Sequence, residues 1–186
     1  MRIGKVEIDL WLEENSHNDA SNNERMVEVP LAQWFLNKYK DPIEFGAVTP
    51  YYFKSKHLIF DPTDPYENCI KLKAEDICYK KKTVLSISTV EHIGTGDYGM
   101  PVDKNMSVKV LIKMMKAKHY LITFPKAYNE ILDVFAENMP ENIIKLKRIE
   151  NQKWYVADTL KDVKYHYPFS CGNGIYIITN CEELLK

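Results

Sequence analysis

The adjacent residues Glu91 and His92 form the pair best suited to proton-transfer chemistry in this sequence. An unperturbed imidazole titrates near neutral pH, so His92 suits the role of a general base. In an extended backbone, neighbouring side chains point to opposite sides. We therefore predict that one of the two faces a cleft, while the other packs or bonds to the backbone. The alternative is a polar pair at the edge of a sheet with no catalytic role.

The element that must position this pair is the apolar segment 83–88. The segment is β-branched, uncharged and too short for a helix, which predicts a central parallel strand. Similar apolar segments predict further strands at 43–48, 57–60, 69–72, 119–124, 143–149, 153–156 and 174–179. Asn151 and Gln152 predict a turn between two of these strands, which would then pair as an antiparallel hairpin.

Apolar residues at helical spacing predict three helices that alternate with the strands. The first contains Val27, Leu31, Trp34 and Phe35, the second Val108, Leu111, Ile112 and Met115, and the third Ile131, Leu132, Phe135 and Met139. Such alternation is typical of α/β proteins. The pattern predicts a doubly wound, mostly parallel sheet of the seven-stranded type with an antiparallel C-terminal hairpin.

The length of 186 residues favours one domain, and the composition of 45% hydrophobic and 27% charged residues is typical of a globular protein. We predict an N-terminal arm over 1–23 and a single domain over 24–186, with a polar loop at 15–24. The apolar residues Ile8, Leu10 and Leu12 of the arm could cover the edge of the sheet or pair across a homodimer.

The charge balance predicts which partners to expect. The formal charge of −1, from 25 basic and 26 acidic residues, gives no global field that would attract nucleic acid, so nucleic acid is not an expected partner. No stretch approaches the ~18 apolar residues of a membrane span, so no membrane partner is expected. The cysteines form no CxxC pair and have no histidine at zinc spacing, which predicts reduced thiols, no metal site and a cytoplasmic location.

Three short motifs follow one another along the chain. They are Glu-x-Gly-x-Val-x-x-x-Tyr at 44–52, Ser-Thr-x-Glu-His-x-Gly at 88–94 and Phe-Pro-x-x-Tyr-Asn at 124–129. With these motifs the chain resembles class I S-adenosylmethionine-dependent methyltransferases, and more narrowly a subgroup of small methyltransferase-like proteins. The resemblance covers residues 24–180. It implies a Rossmann-like fold and S-adenosylmethionine as the cofactor.

The resemblance also implies which residues hold the methyl donor. Gly46 would let the backbone approach the methionine part, and Glu44 would either orient that turn or face the ammonium group. Asp61 would bind the ribose diol, Asp76 would lie near the adenine, and Ser88 would complete the site. Asx-turn formation is the alternative for Asp61, and capping of the next segment is the alternative for Asp76.

On the acceptor side, the resemblance implies His92 as the base, with Glu91 beside it. Asp97, Tyr98, Tyr128 and Asn129 would line the acceptor pocket. The implied function is methyl transfer to a small-molecule or sugar acceptor.

Two departures from the pattern keep an alternative open. The turn at 46–52 has one glycine, and Pro50 removes a backbone donor there. A non-catalytic domain that binds a nucleotide or a protein partner is therefore the alternative function. A nucleic-acid methyltransferase is a weaker third, since the Asp/Asn-Pro-Pro-aromatic signature is missing.

Overall fold

The structure is a computed structural model that describes residues 1–13, 20–54, 56–169 and 171–186. Part of the loop predicted at 15–24 therefore lies outside the described residues. The strands are β1 Arg2–Ile3, β2 Val6–Glu7, β3 Pro42–Phe45, β4 Leu58–Phe60, β5 Cys69–Ile70, β6 Thr83–Ile87, β7 His119–Pro125, β8 Ile143–Glu150, β9 Lys153–Val156 and β10 Gly174–Thr179. The helices are α1 Arg25–Lys38, α2 Met106–Met114, α3 Glu130–Glu137 and α4 Glu182–Leu185.

The main sheet has eight strands in the order β5-β4-β3-β6-β7-β10-β8-β9. Its first five strands are parallel, and β10 pairs antiparallel with both β7 and β8. The predicted α/β class is confirmed, and so is the hairpin of β8 and β9 around Asn151 and Gln152. The sheet has one strand more than the predicted type.

The strand order creates a crevice at the carboxyl ends of the central strands β3 and β6. From β3 the chain continues to β4 and β5 on one side, whereas β6 and β7 lie on the other side. Ligands bind such sheets beyond the carboxyl ends of the strands, at the point where the order reverses. The fold therefore predicts a binding site where β3, β4 and β6 end.

Helix α1 packs against β6 and β7 on one face of the sheet. Pro30 lies in its second turn and has no N–H for the carbonyl group of Met26, one turn earlier. The backbone N–H of Trp11 donates to that carbonyl at 2.9 Å instead. The N-terminal arm therefore completes the hydrogen bonding of α1, and its residues Ile3 and Ile8 join the same core.

Helices α2 and α3 pack together over a second core, on a separate set of side chains from those that α1 covers. In α2 the structure buries Val110, Leu111 and Met114, whereas the predicted face contained Ile112, which is 41% exposed. Six of the nine residues of α2 are apolar, so two overlapping faces satisfy the same helical spacing and only the packing decides between them. None of the helices in the described residues is long and apolar enough to cross a membrane.

The connections between β3 and β5 are unusual for a parallel sheet. Their described residues form a 3₁₀ turn, Thr49–Tyr51, and loops, but no α-helix. The next connection, from β5 to β6, contains the 3₁₀ turn Ala74–Asp76. The strands β4 and β5 are three and two residues long. This half of the sheet therefore has only short elements in its connections, whereas the longest helix, α1, packs on β6 and β7 in the other half.

Candidate functional site

A cavity of about 450 Å³ lies at the crevice, beyond the carboxyl ends of β3, β4 and β6. Its walls come from five parts of the chain, namely Arg25 at the start of α1, 45–48 at the end of β3, 61–65 after β4, 73–75 after β5, and residues between 88 and 106 after β6. A volume of this size suits a small organic ligand. The cavity therefore lies where the fold places a binding site.

Gly46 forms the turn at the end of β3, and its conformation requires glycine. Its φ is +89°, and a Cβ atom at this position would lie 2.0 Å from Oγ1 of Thr89. The backbone N–H of Gly46 donates to the carbonyl of Phe60 at 2.9 Å. The turn therefore passes directly against the segment after β6, on the wall of the cavity.

Glu44 holds this turn from inside the protein. Its fully buried carboxylate accepts hydrogen bonds from the backbone N–H of Val48 at 3.1 Å and of Thr49 at 2.9 Å. It also bonds to the hydroxyl of Thr49 at 2.5 Å and to Nε2 of His57 at 2.6 Å. Glu44 does not line the cavity. Of the two roles predicted for it, orienting the turn is the one for which the structure provides contacts.

Asp61 forms the Asx turn that the sequence offered as one of its two roles. Its Oδ1 forms an Asx turn, with the N–H of Thr63 at 2.8 Å and that of Asp64 at 2.9 Å. Among the described residues, its Oδ2 accepts only a long hydrogen bond, 3.3 Å, from the N–H of Ala47. Asp61 lines the cavity. One oxygen is therefore used by the loop, and the other is available to a ligand.

Two further residues, Ser88 and Asp76, were predicted to contact the methyl donor, and only Ser88 lines the cavity. Ser88 lines the cavity, but its hydroxyl donates inward to the carboxylate of Glu28 at 2.8 Å. Asp76 does not line the cavity, whereas the neighbouring residues Ala74 and Glu75 do. The sequence located the right loop after β5 but not the residue of that loop that reaches the cavity.

His92 lines the cavity and has a fixed orientation. Its Nδ1 lies 2.7 Å from Oδ2 of Asp97, and the hydroxyl of Tyr128 donates to the same oxygen at 3.0 Å. Burial alone would raise the pKa of Asp97, but hydrogen bonds from His92, Thr95 and Tyr128 outweigh it, and the pKa is lowered. An ionised Asp97 holds the proton on Nδ1, which leaves Nε2 of His92 to accept a proton.

The other predicted catalytic and acceptor residues surround His92 at different depths. Glu91 is buried, and its backbone carbonyl accepts from the side-chain amide of Asn129 at 2.9 Å. Asn129 also caps α3, and neither it nor Tyr128 lines the cavity. Asp97 and Tyr98 do line it. Of the adjacent acid and histidine, His92 therefore faces the cavity and Glu91 packs inside.

A buried charged cluster lies at the start of α1 and was not predicted from the sequence. Arg25 lines the cavity, and its Nη1 lies 2.5 Å from Oε2 of Glu28. The carboxylate of Glu28 also accepts from the hydroxyls of Ser88 and, at 2.6 Å, Thr123. Charged residues in the first turn of a helix are usually solvated, so the residue types of Arg25 and Glu28 did not predict that they are buried. The available signal was that Arg25 and Glu28 lie among the apolar residues Met26, Val27 and Val29.

Comparison with known proteins does not place the chain in a family. No family model, curated protein or solved structure matches it. What the cavity binds must therefore be argued from its own groups, above all from Gly46, Asp61 and His92.

Glu24 makes the stability of the protein depend on pH. Burial, followed by the nearby charge of Glu28, raises the pKa of Glu24 from 4.5 to about 7. Between these values the unfolded chain loses a proton that the folded chain keeps. The contribution of Glu24 to stability is therefore complete below pH 4.5 and is lost as the pH rises through about 7.

We expect Glu24→Gln to flatten this dependence, because glutamine has no proton to lose. Urea unfolding at pH 5 and pH 8 should show that the wild type loses up to about 3 kcal/mol more than the variant over this range. Glu150→Gln, at an exposed carboxylate, is the matched control and should behave like the wild type. Equal pH dependence in wild type and Glu24→Gln would show that Glu24 ionises normally in the folded protein.

Proposed function

We propose that the chain transfers a methyl group from S-adenosylmethionine to a small-molecule or sugar acceptor. The observation that carries the proposal is the cavity at the carboxyl ends of β3, β4 and β6, which contains the Gly46 turn, the carboxylate of Asp61 and the side chain of His92. The sheet order supports it, since parallel strands followed by antiparallel strands are the arrangement that the resemblance to Rossmann-like methyltransferases implies.

The walls of the cavity offer a place for each part of the donor. Oδ2 of Asp61 would accept from the ribose hydroxyls, as a carboxylate does at the end of a second strand. The loop at 73–75, together with Pro62 and Ile93, would enclose the adenine. The methionine part would lie along the turn at 46–48. When bound, the donor supplies an electrophilic methyl group on a sulfonium sulfur.

The turn at 46–52 would hold the donor in a particular way. Glu44 already accepts from the N–H groups of Val48 and Thr49, and Pro50 has no N–H. The N–H of Gly46 is used by Phe60. The turn therefore has few backbone donors to offer, and its contribution would be the close approach that Gly46 permits rather than a set of hydrogen bonds.

On the acceptor side, His92 would act as the general base. Asp97 fixes the imidazole so that Nε2 can take the proton that leaves the acceptor atom. The fixed ring also positions the acceptor, because transfer by in-line displacement needs the attacking atom aligned with the methyl carbon. Asp97 acts through His92 and is a positioning residue.

The few backbone donors of the turn at 46–52 also favour a second candidate function. A domain that binds a nucleotide or S-adenosylmethionine without turnover would need the carboxylate of Asp61 for the ribose. It would not need a complete site for the methionine part. It predicts that ribose-containing nucleotides bind as well as S-adenosylhomocysteine does. Methyl transfer predicts instead that binding depends on the amino-acid part of the ligand.

Isothermal titration calorimetry with S-adenosylhomocysteine tests the donor site. We expect micromolar binding to the wild type and at least tenfold weaker binding to Asp61→Asn, which is about 1.4 kcal/mol or more. In this variant the carbonyl oxygen of asparagine can keep the Asx turn, while the amide group replaces the acceptor that the ribose needs. The comparison therefore isolates the oxygen that faces the ligand.

Asp162→Asn, which neutralises an exposed carboxylate outside the cavity, is the control and should bind like the wild type. Absence of binding at millimolar S-adenosylhomocysteine would overturn the proposal. Equal binding of adenosine would favour the non-catalytic alternative. Unchanged affinity in Asp61→Asn would remove Asp61 from the site.

A further inference from the structure

Acidic side chains predominate in the wall of the cavity. The basic side chains that line it are Arg25 and Lys73. Five carboxylates line the same wall, those of Asp61, Asp64, Glu75, Asp97 and Asp103. They lie on the separate segments that follow β4, β5 and β6, so the negative charge is distributed around the cavity. With His92 neutral, the described part of the wall has an excess of three negative charges.

The positive charge of Arg25 is already compensated inside the protein. Its Nη1 lies 2.5 Å from Oε2 of Glu28, and both side chains are buried. An anionic ligand would have to compete for Arg25 with this fixed internal carboxylate, whose loss would leave a buried charge unpaired. Lys73 is the other basic side chain of the described wall, and Glu75, which also lines the cavity, follows it two residues later. Arg25 and Lys73 therefore do not make the wall attractive to anions.

Two helices begin at the cavity, since Arg25 and Met106, the first residues of α1 and α2, line its wall. Backbone N–H groups at helix starts commonly bind phosphate. Here the protein itself accepts from them. The N–H of Arg25 donates to the side chain of Asn23 at 2.9 Å, and the N–H of Met106 donates to the backbone carbonyl of Asp103 at 2.9 Å. The carboxylate of Asp103 also accepts from the N–H of Asn105 at 3.0 Å. A negative charge therefore already lies at the start of α2.

We propose that the carboxylates of the cavity wall exclude phosphate groups, so that the methyl acceptor is an unphosphorylated molecule and not a sugar phosphate or a sugar nucleotide. This inference rests on the proposed function and names its acceptor class. Carboxylates accept hydrogen bonds from the hydroxyl groups of a neutral acceptor. A phosphate group would instead bring up to about two further negative charges against the same wall. The methyl donor fits this wall, because its sulfonium sulfur is positively charged.

Exclusion by charge has a consequence that exclusion by shape does not share. The side chains of Asp97 and Asp103 are 34% and 38% exposed, so dissolved ions can reach them. The hydrogen bond from Lys109 lowers the pKa of Asp103, which keeps this acid ionised at neutral pH. Salt shortens the range of such charges, from about 10 Å at 0.1 M to about 3 Å at 1 M. The preference for unphosphorylated ligands should therefore weaken as salt is added.

Calorimetry with adenosine and adenosine monophosphate on the full chain tests this inference, because the two probes differ only in the phosphate group. The carbon that carries this phosphate carries the sulfur in S-adenosylmethionine, so the phosphate probes the part of the cavity next to the acceptor. At neutral pH and low salt, we expect adenosine to bind at least tenfold more tightly, which is about 1.4 kcal/mol. The ratio should fall in about 1 M NaCl. Equal affinities, absence of adenosine binding or a ratio that does not change with salt would overturn the inference.

Pyrophosphate probes the acceptor part of the cavity directly. With S-adenosylhomocysteine bound, the donor part is occupied, and pyrophosphate stands for the charged group of a sugar nucleotide. We expect no binding of pyrophosphate at millimolar concentration. Binding that is lost in Lys73→Ala or Arg25→Met would show that the wall accepts phosphate and would overturn the inference.

Variants locate the effect in the carboxylates of the wall. Asp103→Asn keeps an oxygen for the N–H of Asn105 but removes the charge, and it should reduce the ratio of the two affinities about threefold. Glu75→Gln removes a charge from another segment and should also reduce it. Asp162→Asn, at an exposed carboxylate outside the cavity, is the matched control and should leave the ratio unchanged. An undiminished ratio in both Asp103→Asn and Glu75→Gln would overturn the inference.

The outcome is separable from that of the proposed function. Binding of S-adenosylhomocysteine without a preference for adenosine over adenosine monophosphate would remove only the acceptor class. A salt-dependent preference for adenosine in a protein that does not bind S-adenosylhomocysteine would remove methyl transfer and leave a cavity that excludes phosphate.

Discussion

Gly46→Ala is expected to abolish binding of S-adenosylhomocysteine and to lower the free energy of unfolding by about 3 kcal/mol. Two separate costs add up at this position. The φ of +89° is strained for any residue with a side chain, and the new Cβ would lie 2.0 Å from Oγ1 of Thr89. Relief of the contact requires the turn and the segment after β6 to move apart, which widens the cavity where the methionine part would bind. Urea unfolding and calorimetry measure the two effects.

Gly99→Ala separates strain from steric contact. Gly99 also has a positive φ, +73°, but a Cβ there would meet nothing within 4 Å. We expect Gly99→Ala to lower the free energy of unfolding by about 1 kcal/mol and to leave the affinity for S-adenosylhomocysteine unchanged. In a Thr89→Gly background, the cost of Gly46→Ala should fall toward that of Gly99→Ala. If Gly46→Ala and Gly99→Ala lower the free energy of unfolding equally, the close approach of Gly46 and Thr89 does not contribute to the destabilisation.

Glu28→Ala is expected to be the most destabilising single change in the buried cluster, with a loss of about 4 kcal/mol. The substitution removes the partner of Arg25, whose guanidinium is buried, and it also removes the acceptor for the hydroxyls of Ser88 and Thr123. An uncompensated buried charge is more costly than the absence of the whole pair. Chemical denaturation at pH 7 measures the loss.

Two comparisons test this explanation of Glu28. Arg25→Met combined with Glu28→Leu replaces the pair by apolar side chains and should be less destabilising than Glu28→Ala alone. Glu150→Ala removes the same kind of partner from the exposed pair of Glu150 with Lys153 and should leave the unfolding midpoint almost unchanged. A double variant that is as unstable as Glu28→Ala would show that packing, and not the unpaired charge, accounts for the loss.

The strands of the sheet were largely predictable, because short apolar segments rich in β-branched residues favour strands over helices and loops. The strand at 174–179 was predicted to the residue, and that at 43–48 ends early because Gly46 leaves the sheet with a positive φ. The predicted face of α2 was wrong at Ile112 because its apolar residues cover more than one face. Periodicity identifies a helix but not the neighbour that it meets.

The candidate site was predictable where a residue follows directly from the end of a strand. Gly46, Asp61 and His92 all follow strands that the pattern located, and all three line the cavity. Arg25, Glu28 and Glu24 were missed because they lie far from these strands in sequence. Only in the packed molecule does Arg25 reach the cavity, and Glu24 and Glu28 become buried. Their chemistry depends on burial, and burial is a property of the packed molecule.

The short connections between β3 and β5 have a consequence for dynamics. Strands of three and two residues, without a covering α-helix in the described part of these connections, bury little apolar surface, and Leu58 and Ile70 remain exposed. Such segments open at a lower free energy than the rest of a domain. Amide hydrogen exchange should therefore be fastest along β4 and β5 in the free protein. A ligand bound to Asp61 and to the segment after β6 would link β4 and β5 to the rest of the sheet. Ligand binding would therefore also order these two strands.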